Sequence, residues 1–271
     1  MSISAIRVLT IIFVISQVTF GNTSNIILYR RDIWKNPAFG PKLVKLQSEG
    51  TYMTDVIVPM IRASLKDLPI GKSGYIFTAE HQSIASKDQR GVGKRPDVMF
   101  IASCNNRSYE LIYGESSRII CDEQKKENDR VKTWREMNDG MYWAHKGCKP
   151  DKDDFGIIGI QIAGTEMHLN ILIRGMDEIH RFYNLRTVEI PIQPTDGNTV
   201  FKFVETLLTI RVCEMQFLYF TCLKLTHTYN YRISCTSIYL FCITRFQLVQ
   251  VVIQKIAPQY LLHQDHHHHQ K

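Results

Sequence analysis

At 271 residues, with 44% hydrophobic and 22% charged residues, the chain has an ordinary globular composition, which excludes a disordered or fibrous class and allows one sizeable core. The net charge of +7 does not mark a dedicated polyanion binder: of 33 basic and 26 acidic residues, 27 and 24 fall within 23–211, and clustering on one face matters more than the total. Seven cysteines with no CxxC pair exclude a disulfide framework and a zinc-finger pattern, and suit thiols in a reducing compartment.

The N-terminal run "VLTIIFVISQVTFG" follows Arg7 and has the length of a signal peptide, with Thr19 and Gly21 as small residues at a cleavage site. Residues 1–22 read as a signal peptide, as a strand or helix packed on the domain, or as a mis-set translation start. The first reading predicts secretion; the others predict a cytoplasmic or nuclear protein. The run is shorter than the ~20 residues a spanning helix needs.

From Leu43 to Leu68 the apolar spacing predicts a helix, kinked or restarted at Pro59. "GYIFTA" predicts a strand and "EHQSIASKDQRGVGKR" a polar loop, with a local basic cluster of Lys87, Arg90, Lys94 and Arg95. "DVMFIAS" and "SYELIYGES" are apolar strands separated by the turn signal "NNR", so they predict a hairpin. A helix is predicted over 119–145 with Ile120, Val131, Trp134 and Met141 on its buried face. Trp134 and Tyr142 read as core on that spacing, although aromatics there would also suit stacking on bases. "FGIIGIQIAG" and "MHLNILIRG" predict two further strands, with His168 structural. "DEIHRFYNL" reads as a short helix, "VEIPI" as a strand, and "TDGNTVFKFVETLLTI" as a helix capped by Thr195 or Asp196.

These elements predict one α/β domain over 23–211, a central mixed sheet with a β-hairpin carrying an acidic pair and helices on both faces. Residues 212–271 differ in composition, being aromatic and β-branched with few acids. Arg232 and Arg245 interrupt any apolar span, so no stable membrane crossing is expected. The segment reads as a poorly packed extension, as added strands or helices, or as translated non-coding sequence. Its His-rich end reads as a disordered tail.

The chemistry concentrates in "KRPDVMFIASCNNRSYELIYGESSR". Asp97 begins one predicted strand and Glu115 ends its hairpin partner, so the two carboxylates converge at one sheet edge. Two close carboxylates repel unless a cation lies between them, and Mg²⁺ takes one or two protein carboxylates while keeping several waters. Pro96-Asp97 followed by Glu115, in this order of helix and strands, resembles the PD-(D/E)xK (restriction-endonuclease-like) nuclease superfamily. The wording also looks like modules of expanded fungal families, including Crinkler-type effectors. The resemblance covers roughly 45–211 and implies Mg²⁺-dependent hydrolysis of DNA phosphodiesters, with no small-molecule cofactor. Asp97 and Glu115 would match the metal-binding acids, and Glu49 the additional helical acid that some members use.

Ser117 stands where the family has its lysine, and a hydroxyl cannot balance developing charge. Some members supply the lysine from the following helix. "CDEQKKEND" offers Gln124, Lys125 and Lys126, of which Lys126 is expected to reach inward more readily than Lys125, and Gln124 to lie nearer the buried face. Gln161, polar within an apolar strand, is a further candidate. The alternative expectation is a non-catalytic module or secreted effector that kept the fold and lost the chemistry.

Overall fold

The computed structural model describes residues 32–66, 68, 74–78, 81–104, 106–148, 150, 155–175 and 178–218. The N-terminal run, the His-rich end and most of 212–271 lie outside the described residues. The structure is an α/β domain built on six strands: β1 (Gly74–Thr78), β2 (Val98–Cys104), β3 (Arg107–Ser116), β4 (Gly156–Ala163), β5 (Glu166–Arg174) and β6 (His180–Glu189). They lie in the sheet in chain order. Every neighbouring pair is antiparallel except β3 and β4, which run parallel. A parallel pair needs a crossover, and helix α3 (Glu123–Cys148) supplies it. The predicted hairpin is present as β2–β3, with Cys104 opposite Arg107. All eight positions of β4 are buried, so both faces of the central sheet are covered.

Helix α1 starts at Glu49 rather than Leu43, because Ser48 caps it by accepting from the Thr51 N–H. It runs as one α turn (Glu49–Tyr52), a π segment (Met53–Ile57) and an α segment (Val58–Leu65). Pro59 falls in the first turn after the π segment, where its missing N–H costs little.

The stretch 81–96 is not all loop. Helix α2 (Ile84–Arg90) sits there, capped by Ser83 and ended by Gly91 at φ 75°. The buried Glu110 of β3 fixes it: its carboxylate accepts from Ser83 Oγ and the Ile84 N–H, both at 2.6 Å, and from Tyr113 OH at 2.8 Å. Of 177–185, expected as a helix, residues 180–185 belong to strand β6. Its burial alternates in part, as at the edge of a sheet half open to solvent.

Helix α4 (Gly197–Leu218) is capped by Asp196, which accepts from the Asn198 and Thr199 N–H groups. It passes through the expected boundary at 211 without a break, and Cys213 is buried. Fully buried Arg211 donates to the carbonyls of Ser64 and Lys66, closing the C-terminus of α1. No described helix is long and apolar enough to cross a membrane. Cys121, Cys148 and Cys213 are free thiols.

Candidate active site

The hairpin register pairs Val98 with Gly114, which leaves Asp97 beside Glu115 at one end of the β2–β3 ladder. The Ser116 N–H donates to Asp97 Oδ2 at 2.8 Å and fixes that carboxylate against β3. Glu115 is buried, and its partner across the parallel ladder is Gln161. Helix α3 passes over this face at short range. An added Cβ on its Gly140 would lie 2.7 Å from Tyr113 OH and 3.1 Å from the Glu110 carbonyl, so only glycine permits the approach.

That approach brings in two residues the sequence reading missed. Lys132 Nζ lies 2.5 Å from Glu115 Oε2. Glu136, one turn further along α3, is buried against the same carboxylate. Burial and the neighbouring charge of Asp97 push Glu115 upward, against the pull of Lys132. Burial and the charge of Glu115 push Glu136 up further. Taken as two carboxylates, Glu115 Oε1 and both Glu136 oxygens have no hydrogen-bond donor among the described residues. A proton on Glu136 removes the conflict, because its hydroxyl then donates to Glu115. The pair titrates as a unit.

The expected candidates separate. Lys126 points away from the acids: it is ion-paired with Glu123 at 2.7 Å, and Cys121 and Glu166 are its other electrostatic neighbours. Lys125 pairs with the buried Asp129 at 2.8 Å and lies within electrostatic reach of Glu49 and Asp97. Lys126 is the less exposed of the two, as expected, but it is Lys125 that feels the charges of Glu49 and Asp97. Gln124 is exposed and donates to Asn128, so it does not lie nearer the buried face. Gln161 does reach the helix, donating to the Lys126 carbonyl at 2.7 Å.

Ser117 is fully buried and serves the backbone: its hydroxyl donates to the Ile162 carbonyl and accepts from the Gly164 N–H. His168 accepts from or donates to Thr187 at 3.0 Å across β5–β6, in keeping with a structural role. Trp134 and Tyr142, expected in the core, are 43% and 40% exposed. The buried residues of α3 are Asp129, Thr133, Glu136, Met137, Asp139, Gly140, Met141 and Ala144, of which Met141 was expected. A step of four back from Met137 reaches Thr133, and a step of four back from Gly140 reaches Glu136; anchoring the face on Val131 and Trp134 leaves both out.

Glu49 feels burial first and then Lys125, Asp97, Asp129 and Arg118, and its carboxyl is raised. It adjoins Asp97 but does not complete a ligand set: among the described residues no three His, Cys, Asp or Glu side chains group to hold a metal ion. Asp97 and Glu115 remain a like-charged pair of hard oxygen donors. That donor set fits a cation retaining most of its water, as Mg²⁺ does, and does not fit a closed protein cage. Compared with protein-family models, curated proteins and solved structures, the chain matches none.

Proposed function

We propose that the protein is a Mg²⁺-dependent nuclease of PD-(D/E)xK type, hydrolysing DNA phosphodiesters at Asp97 and Glu115. The observation that carries this reading is the ammonium of Lys132, 2.5 Å from Glu115 and delivered by the helix after the hairpin. It supplies the charge missing at Ser117. A divalent ion, when bound, lowers the pKa of its water and offsets charge on the phosphoryl oxygens. The chain's own parts then have separate duties. Asp97 and Glu115 present oxygen donors on one sheet edge. Lys132 holds positive charge where the transition state gathers negative charge, and orients the attacking water. Glu136 buttresses Glu115 from behind. Lys125, rather than Lys126, adds to the field around Asp97 and Glu49.

The test has two parts. Titration calorimetry with Mg²⁺ or Mn²⁺ should show binding that Asp97→Ala removes. Cleavage of a linear DNA duplex should require the metal and disappear in Asp97→Ala. A folded protein that binds neither ion and cleaves nothing would leave the second reading, a non-catalytic binding module in which Lys132 merely neutralises Glu115.

A further inference from the structure

Beside the acidic centre the surface carries a hollow of about 350 Å³, lined by Lys45, Leu46, Gln47, Ser48, Arg118 and Ile120. Sites for small ligands begin at roughly 300 Å³. The hollow adjoins the carboxylates through both of its walls. Ser48 immediately precedes Glu49, and Arg118 lies two residues after Ser116, whose N–H holds Asp97. Arg118 also acts electrostatically on Glu49.

The lining is unusual in what it leaves uncommitted. Lys45 and Arg118 are exposed and form no salt bridge or side-chain hydrogen bond among the described residues. Leu46 and Ile120 are 77% and 58% exposed, two large apolar side chains set in the same hollow as two cations. Gln47 already donates through its amide nitrogen to the carbonyls of Ala38 and Leu43, which fixes the side chain and leaves its oxygen as an acceptor. Paired cations, an apolar surface and a fixed acceptor match the three parts of a nucleotide: phosphate, base face and exocyclic amine.

We propose that this hollow seats one nucleotide of a DNA strand, next to the phosphodiester presented to Asp97 and Glu115. Its phosphate lies between Lys45 and Arg118 and its base rests against Leu46 and Ile120. The position relative to the cleaved bond rests on the nuclease reading; the binding itself does not.

The test is fluorescence anisotropy of the full chain with a short labelled single-stranded DNA, in chelator, with thermal melts as a folding control. Arg118→Glu and Lys45→Glu should each weaken binding about tenfold or more at low salt. Leu46→Ser combined with Ile120→Ser should weaken it several-fold and leave the salt slope unchanged, as loss of base contact does. Lys202→Glu, a charge reversal on an exposed position of α4 that does not line the hollow, should bind like the wild type. Equal binding by all variants would overturn the proposal, as would a wild type that binds no oligonucleotide. Displacement by poly-glutamate as effective as by unlabelled DNA would also overturn it, because the base would then count for nothing. Metal-dependent cleavage scores the nuclease reading separately. Hollow variants that bind and cleave normally sink the hollow alone, whereas a wild type that binds through the hollow and never cleaves sinks the nuclease.

Discussion

Lys132 and Glu136 share one turn of α3, and both meet Glu115. Replacing Lys132 by Met strands a buried carboxylate. The cost is about 1–2 kcal/mol, below the ~3–5 kcal/mol of a fully buried pair because the lysine is half exposed. Under the nuclease reading, Lys132→Met should cut metal-dependent DNA cleavage by at least about a hundredfold. Lys126→Ala, which removes an ammonium paired with Glu123, should leave the rate within about twofold. The reverse ranking in cleavage assays would remove Lys132 from the chemistry.

Glu136 gives a prediction on stability that needs no catalysis. Its carboxyl is raised from 4.5 to about 10, chiefly by burial, so the folded state holds a proton that the unfolded chain releases above 4.5. The stability it contributes is full below 4.5 and is lost as pH rises toward about 10. Glu136→Gln keeps a neutral donor of the same shape. Relative to the wild type it should gain stability at pH 8 and little at pH 5, read from urea midpoints. Parallel pH curves for the two proteins would contradict the buried proton.

At the scale of elements, the junction of α3 with β5 and β6 has its own pH response. His145 Nδ1 lies 3.1 Å from the Arg174 guanidinium, and an arginine can only donate, so the ring nitrogen must accept and the imidazole is neutral. Burial, then Arg174 and His180, lower His145 below its usual 6.5. The stability tied to the neutral ring is present above 6.5 and is lost as pH falls through the lowered value. Chemical denaturation between pH 7 and pH 5 should show the wild type losing stability faster than His145→Asn; equal losses would show that the ring is free to protonate.

The hairpin, β4 and β5 were legible because continuous apolar runs between turn residues have few alternatives. Helix α2 was not, since "IASKDQR" is polar and its start is fixed by Glu110, 26 positions away from Ile84 in sequence. Strand β6 carries His180, Arg181, Asn184 and Arg186 on a half-open edge, a composition that weakens the period-two signal. The buried face of α3 defeated the reading most consequentially. Hydropathy cannot find a face built from Asp129, Thr133 and Glu136; it favours Trp134 over them and gives no weight to Lys132. The acidic pair itself was visible, because Asp97 and Glu115 sit at strand ends whose register the hairpin fixes.

Over the whole molecule, the composition change at 212 is not a structural boundary. Arg211 is fully buried and joins α4 to the end of α1, and Cys213 belongs to the buried core. A chain cut after 211 should lose about 2 kcal/mol relative to one cut after 218, through the lost burial of Cys213 and a frayed last turn. Thermal melts of the two truncations would show it, and identical midpoints would restore 211 as the domain's end. Arg211→Met should cost a comparable amount by leaving the Ser64 and Lys66 carbonyls without their donor.

The single parallel ladder has a consequence for how the chain folds. On either side of it the sheet is an antiparallel meander, β1–β2–β3 and β4–β5–β6, whose strands pair with near neighbours in sequence. Among the described strands β3 and β4 have the most distant partners, Ile112 finding Ile158 with all of α3 between them. Loop-closure entropy delays such contacts, so the two halves can order early and meet late. Glu115 and Gln161 face each other across that meeting line. A chain that folds in this order completes the surroundings of Asp97 and Glu115 only when β4 docks on β3.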